Sequence, residues 1–340
     1  MPVKIQGGGP AGAAAAIAAK LEGADVVLQE IRRFPRHKVC GEFLSPEIAP
    51  VLERLGIWKE FLATRPARIT RVALHFGRRR KLGNLAQAAF GLSRFQFDRL
   101  LMARACGLGA QVCGSDHAEY CTAQVLATGR SALAASPPRG RRLFGFKAHF
   151  HGPVSEAVEL FFSSRFYVGV NTVEGGITNV CGLAPEDLLK RCDFDYDALI
   201  DGFAPLRDRL RPMTRAMDWL STGPLVFETR FSAPRQENVY AAGDALMFVD
   251  PFTGSGLLSA VSSGWLAGIA AARLAPVAGY LQSCRRIFSR PFACATLFRT
   301  MLAANWAEYL APLVPARMLV ALTRPSSRAL IQFGAGPGEK

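Results

Sequence analysis

The chain holds 340 residues, half of them apolar, with 41 Lys and Arg against 27 Asp and Glu. Such a length exceeds one ordinary core and the apolar share excludes disorder, so two domains sharing an interface are expected. The formal charge of +14 favours an anionic partner, and the absence of a nucleic-acid motif argues against nucleic acid.

Residues 3–6 read as a short strand, followed by the turn Gly7-Gly8-Gly9-Pro10-Ala11-Gly12 and an alanine-rich helix from Pro10 to Leu21. A second strand, 25–29, ends at Glu30, which follows Gly12 by 18 residues, near the ~20 of a ribose-binding acid. In this βαβ opening Gly7 permits the tight turn, Gly9 lets a pyrophosphate approach the backbone, and Gly12 packs helix on strand. The loop Arg36-His37-Lys38-Val39-Cys40-Gly41-Glu42 brings basic residues toward a pyrophosphate or ribityl chain. Residues 46–62 are expected to be helical, 68–76 a strand, 77–81 a basic turn, 93–106 a helix and 125–128 a short strand.

From 142 the period changes to two. Phe144, Phe146, Ala148 and Phe150 alternate with Gly145, Lys147, His149 and His151, the pattern of a half-buried strand. Strands over 157–162, 166–173 and 177–183 follow, making an antiparallel sheet with one aromatic-rich face. That face serves equally well as a plain sheet core or as the wall of an apolar pocket.

A strand at 239–242 ends in Gly243-Asp244, then comes a turn and a helix from Ser255 to about Arg273. A short acid at a strand end suits ribityl hydroxyls. A glycine-flanked helix N-terminus suits the negative charge of a reduced flavin. Together with the opening turn, this segment points to FAD. Beyond Pro291 the chain reads as largely helical, broken at Pro312, Pro315 and Pro325, a basic apolar tail suited to packing on its own domain or lying on a membrane surface. Eight cysteines lack paired CxxC spacing, and no apolar run reaches the ~18 residues of a membrane span. A cytoplasmic protein with reduced thiols, in possible peripheral contact with membrane, is the expectation.

The motifs resemble, in order, the FAD-dependent oxidoreductases of the para-hydroxybenzoate hydroxylase fold, and within them the geranylgeranyl-reductase-like branch. The matching residues are Gly7 to Gly12 with Glu30, Lys38-Val39-Cys40-Gly41-Glu42 with Leu44-Ser45-Pro46, Arg94 with Phe97-Asp98-Arg99-Leu100, and Ala242-Gly243-Asp244 with Asp250-Pro251-Phe252-Thr253-Gly254-Ser255-Gly256. The resemblance implies an α/β fold: a Rossmann-like FAD-binding domain (1–67, 88–135 and 225–290), an inserted antiparallel substrate domain (68–87 and 136–224) and a helical C-terminal segment (291–340). It implies an FAD held by Gly7, Gly9, Pro10, Ala11, Gly12, Glu30, Arg36, Cys40, Gly41, Arg94, Gly243, Asp244, Pro251, Gly254, Ser255 and Gly256. Glu30 would hold the adenosine ribose, Arg94 and Asp244 would touch the ribityl or pyrophosphate region, Cys40-Gly41 would lie beside the ring, and Gly254 to Gly256 would sit at its pyrimidine side.

The implied activity is double-bond reduction or hydroxylation of an apolar isoprenoid- or polyketide-like substrate, with NADPH or NADH as electron donor. A flavin-binding accessory protein and an NAD-dependent dehydrogenase are the alternatives, and an acidic carrier protein is a candidate partner. His149, His151 and Tyr167 are the candidates for proton handling and Cys40 for a redox role, against the commoner structural role of each. With no third ligand at recognisable spacing, no metal is expected. Three departures stand out. Ala127-Thr128-Gly129-Arg130 replaces a middle motif that usually ends in Asp-Gly, the chain between Val112 and Val125 is short, and the paired tryptophans of flavin-dependent halogenases are absent, which points away from a halogenase.

Overall fold

The structure, a computed structural model, describes residues 1–77, 79–114, 121–130, 142–163, 165–225, 231, 236–248 and 253–303. The N-terminal half runs β1 (Pro2–Gln6), α1 (Pro10–Leu21), β2 (Asp25–Gln29), β3 (Phe43–Leu44), α2 (Ala49–Arg54), α3 (Trp58–Ala63), β4 (Ala67–Phe76), β5 (Arg79–Gly91), α4 (Arg94–Gly107), β6 (Gln111–Cys113) and β7 (Ala123–Leu126). Then come β8 (Leu143–His151), β9 (Ala157–Phe162), β10 (Tyr167–Thr172), β11 (Thr178–Pro185), α5 (Glu186–Arg191), α6 (Tyr196–Asp201), α7 (Ala204–Leu210), β12 (Thr214–Arg215), β13 (Leu220–Leu225), β14 (Val239–Ala241), α8 (Gly256–Ala272) and α9 (Val277–Ala303).

The first sheet is parallel, in the order β14-β7-β1-β2-β6. Its strands begin at the start and near the end of the described chain, so the nucleotide-binding unit closes only when both halves meet. Helix α1 is buried along nearly its whole length. Its alanines let α8 approach so closely that a Cβ at Gly264 or Gly268 would collide with the carbonyl oxygens of Ala11 and Ala15.

The second sheet is mixed, in the order β12-β8-β11-β10-β9-β4-β5-β3, with β13 also on β8. The β4–β9 pair is parallel, which modifies the expectation of a purely antiparallel sheet. Strand pairing continues β5 to Gly91, past residue 87, and α9 runs without a break through Pro291. The tail beyond Ala303, with its four further prolines, lies outside the described residues.

The aromatic-rich face of β8 is core. Phe146, Ala148 and Phe150 pack with Val168, Val170 and Val180 against Leu189, Tyr196, Leu199, Leu206 and Leu210. The latter set comes from α5 to α7, helices that the sequence reading did not anticipate, so the aromatic face does not wall a pocket. The opposite face carries Lys147 and His149, and it turns toward the loop that leads from the nucleotide-binding strands. Cross-strand pairing puts Asn179 beside His149, Cys181 beside Lys147 and Leu183 beside Gly145 and Tyr167 on that face. Farther along it, Val72, Leu74, Phe76 and Phe162 form an apolar cluster edged by Val158, Leu160 and Tyr167.

Candidate functional site

The glycine turn meets the steric demands expected of it. Gly7 has φ 101°, and a Cβ there would run into the Ala127 carbonyl; a Cβ on Gly12 would run into the Gly7 carbonyl oxygen. Space remains over Gly9, where a Cβ would lie 3.8 Å from Lys38 Nζ and 3.9 Å from the Arg94 guanidinium. Two cations therefore face the N-terminus of α1, which has Pro10 as its first residue and no side-chain cap. Free backbone N–H groups and two cations make an anion cradle.

Glu30 sits at one end of this cradle. Its Oε2 accepts from Gly8 N at 2.9 Å and its Oε1 from Arg32 N at 2.9 Å. The Arg36 guanidinium lies 4.0 Å from the same carboxylate, which puts Arg36 at the acid's end of the site rather than beside Arg94. Glu30, Arg32, Phe34, Met102 and Cys113 line a cavity of about 290 Å³ there.

At the other end Arg94 makes a bidentate pair with Asp98, with both N···O distances 2.7 Å. Burial works against the Arg94 charge, but Asp98 more than offsets it and holds the guanidinium firmly protonated. Burial pushes the Asp244 carboxyl up, while the charges of Arg94, Arg130 and Lys38 oppose that rise. Arg130, in the segment that departs from the usual middle motif, hydrogen-bonds Thr222 of β13 and lies over the Phe248 ring. It thus ties the nucleotide-binding strands to the second sheet.

The Cys40-Gly41-Glu42 loop is where the two sheets meet. Glu42 is fully buried with φ 51°, a left-handed conformation that costs energy unless its surroundings impose it. They do so through three bonds. Oε1 accepts from Arg94 N at 2.6 Å and from the Lys147 ammonium, and Oε2 meets His149 Nε2 at 2.7 Å. Burial alone would raise the Glu42 carboxyl; the His149 hydrogen bond and the Lys147 charge outweigh it and hold the group below its ordinary value. Asn179 donates to the carbonyls of Cys40 and Gly41 at 3.2 and 2.9 Å.

His37, exposed at the loop's start, stacks on Phe95 with centroids 5.3 Å apart and meets the His149 ring edge-on at 5.1 Å. Burial, then the charges of Lys147 and His149, lower its pKa. The ligand atoms of His37, Glu42 and His149 lie within 4.8 Å of one another, so the structure supplies the third group that spacing alone did not reveal. Lys147 already neutralises the only carboxylate, however, which suits a proton relay better than a divalent ion.

The remaining expected residues are spread more widely. Cys40 is half-buried, its Sγ 3.4 Å from Glu42 N, and burial pushes its thiol up, away from the reactive thiolate a redox role needs. His151 is exposed at the end of β8, and Tyr167 belongs to the apolar cluster rather than to the Glu42 group. Gly243 has φ 61° and its N–H donates to Ser263 at 2.9 Å. Gly254, with φ 65°, backs onto Phe43, while Ser255 precedes α8 and Gly256 opens it. Pro251, with Asp250 and Phe252, lies outside the described residues.

These residues fit an FAD. The cradle at Gly9 suits its diphosphate and Glu30 its adenosine. A Cβ on Gly41 or Gly256 would meet nothing within 4 Å, which leaves room for a ring. Asn179 Oδ1 and Ser45 Oγ are buried near the loop without a hydrogen-bond partner, polar atoms a bound heterocycle can satisfy. The motifs point to the glycines, Glu30, Arg94 and Asp244 and include Lys38 and Glu42 in the loop, without giving Glu42 a role; they do not single out Lys147 or Asn179. The only sequence signal for Lys147 and Asn179 was a polar residue on one face of a strongly apolar strand.

Comparison with solved structures gives the same architecture. A flavin-dependent brominase aligns with a TM-score of 0.77 at 17% identity, covering 98% of both chains. A flavoprotein/dehydrogenase from Cytophaga hutchinsonii aligns at 0.78 and 18%, over 97% of this chain and 93% of that one. A geranylgeranyl bacteriochlorophyll reductase-like protein from Thermoplasma acidophilum aligns at 0.71 and 19%, over 98% and 95%. A menaquinone reductase of Mycolicibacterium smegmatis is 47% identical over 55 residues, a stretch spanning 16% of this chain and only 13% of that protein. The family model described as "Tryptophan halogenase" matches residues 2–190. That match corrects the inference drawn from the missing tryptophan pair: lacking the pair does not put the chain outside the halogenase branch, although a reductase-like protein is also among its structural neighbours. This chain belongs to the tryptophan halogenase family.

Proposed function

We propose that this protein is an FAD-dependent oxidoreductase that reduces a carbon–carbon double bond in an apolar, isoprenoid-like substrate, with NADPH or NADH as the electron donor. The carrying observation is the Lys147–Glu42–His149 cluster, buried directly behind the Cys40-Gly41 turn and reached from the surface through His37. FAD, when bound, supplies the hydride; a double-bond reduction also needs a proton delivered to the neighbouring carbon.

The chain's residues are arranged to move that proton. Lys147 fixes Glu42 as the carboxylate, Glu42 orients His149 through Nε2, and the second ring nitrogen of His149 remains available to pass a proton on. His37, favoured in its neutral form, links His149 to solvent. The apolar cluster of Leu74, Phe76 and Phe162 on the same sheet face suits a hydrocarbon substrate. The partial likeness to menaquinone reductases supports the isoprenoid class.

Family membership favours a second reading, in which the same cofactor site serves oxygen-dependent hydroxylation or halogenation. One experiment separates them. The purified protein is incubated anaerobically with NADPH or NADH and a polyprenyl quinone, and the product mass is read. A gain of two hydrogens that persists after the ring is reoxidised to the quinone supports the reductase; no such product until oxygen is admitted, with gain of oxygen or halogen, supports the second reading. For the reductase, His149→Asn is expected to lower turnover by about 10²–10⁴-fold while the flavin is still bleached by nicotinamide. Unchanged turnover in this variant would remove His149 from the relay.

A further inference from the structure

The β4–β5 hairpin contributes Leu74 and Phe76 to the apolar cluster, but its basic residues play no part in the site described above. Residues 67–91 contain Arg68, Arg71, Arg78, Arg79, Arg80 and Lys81 and no Asp or Glu. Arg68, Arg71, Arg79 and Arg80 are exposed, and none of them has a carboxylate partner among the described residues. Among the described residues strand β5 is the penultimate strand of its sheet, and β3 pairs with it only at Phe90 and Gly91. On this strand Leu82 is 61% exposed. Arg79 and Lys81 share a face with each other and Arg80 lies on the opposite one, so cationic groups flank the strand on both sides. Two neighbouring acidic residues, Glu156 and Glu159, are already engaged. The first takes the Thr70 hydroxyl, and the second is held by Arg209 and His75.

We infer that this hairpin docks the protein to an anionic lipid surface. Phosphate oxygens of headgroups would accept from the guanidinium groups, while Leu82 enters the boundary with the acyl chains. Among the described residues no helix is long and apolar enough to cross a membrane; the hairpin offers a peripheral contact with one. The inference extends the apolar-substrate reading, but its test involves no turnover, so either one can fail without the other.

The test is co-sedimentation of the full chain with vesicles of phosphatidylcholine alone and of phosphatidylcholine with phosphatidylglycerol, at low and high salt. Binding is expected only to the anionic vesicles and is expected to be released by salt. Arg79→Ala with Arg80→Ala should weaken it about 25-fold, near fivefold for each basic residue removed, with flavin content unchanged. The control, Arg191→Ala with Arg211→Ala, removes the same charge elsewhere and should leave binding near that of the parent. Equal binding to neutral vesicles, no vesicle binding, or an equal loss in the control overturns the inference. So does capture by immobilised poly-glutamate in place of vesicles, which would assign the hairpin to an acidic protein. Should the hairpin variant fail to fold, the vesicle and salt dependence of the parent protein still decides.

Discussion

Lys38 shows how one buried residue ties cofactor binding to pH. Burial, then the neighbouring Arg94 charge, lowers its ammonium to about 8 from 10.5. A diphosphate over Gly9 needs the charged form. Affinity for FAD is therefore expected to fall as pH rises through about 8, by at most about tenfold per pH unit until the bound-state value is reached. The cofactor-free protein follows the opposite sign: burying the cation costs stability below about 8, and the cost fades as pH climbs toward 10.5. Fluorescence titration of FAD between neutral and alkaline pH checks this, and Lys38→Met should bind more weakly with a flatter profile. A steep profile in Lys38→Met would assign the titration to another group. At this scale the glycines were legible because sterics alone dictate them. Lys147 was not, because its meaning lies in Glu42, 105 residues away in sequence.

Among the elements, the α1–α8 contact is set by absent side chains. Gly264 and Gly268 sit where a Cβ would press on the α1 backbone, and the alanines of α1 are buried beneath them. Gly264→Ala is expected to destabilise by about 1–3 kcal/mol through overpacking, despite alanine's better helix propensity. Gly279 in α9 is the counter-case: nothing lies within 4 Å of its added Cβ, so Gly279→Ala should stabilise by up to about 1 kcal/mol. Urea denaturation of the two variants gives opposite signs if packing decides; equal signs would refute it. Elements with strong periodicity were readable, as with β9 at 157–162, where period-two alternation coincides with the observed strand. Helices α5 to α7 were not, since six or seven residues are too few for a 3.6-residue pattern to stand out.

For the molecule as a whole, the question is what holds a parallel sheet made from distant segments against a mixed sheet inserted between them. Motif order revealed both units, but not the junction, because Glu42 comes from a loop, Lys147 and His149 from β8 and Asn179 from β11, and they converge only in the folded chain. Lys147→Met leaves Glu42 buried without its cation and is expected to cost about 3–5 kcal/mol. Adding Glu42→Gln should recover part of that loss, so the double variant costs less than the two single variants together. The sign with pH follows from the depressed Glu42 carboxyl. Its stabilisation is fully present above the unfolded carboxyl value of about 4.3 and is lost as pH falls through the lower folded value. In Lys147→Met burial acts with less opposition, so that carboxyl protonates at higher pH and sheds its penalty on acidification. The stability gap between parent and variant is therefore widest near neutrality and narrows toward acid. Urea titrations at pH 7 and at pH values below the ordinary carboxyl range measure it. A gap of constant size would mean that Lys147 acts through packing of its alkyl chain, and that charge does not hold the two sheets together.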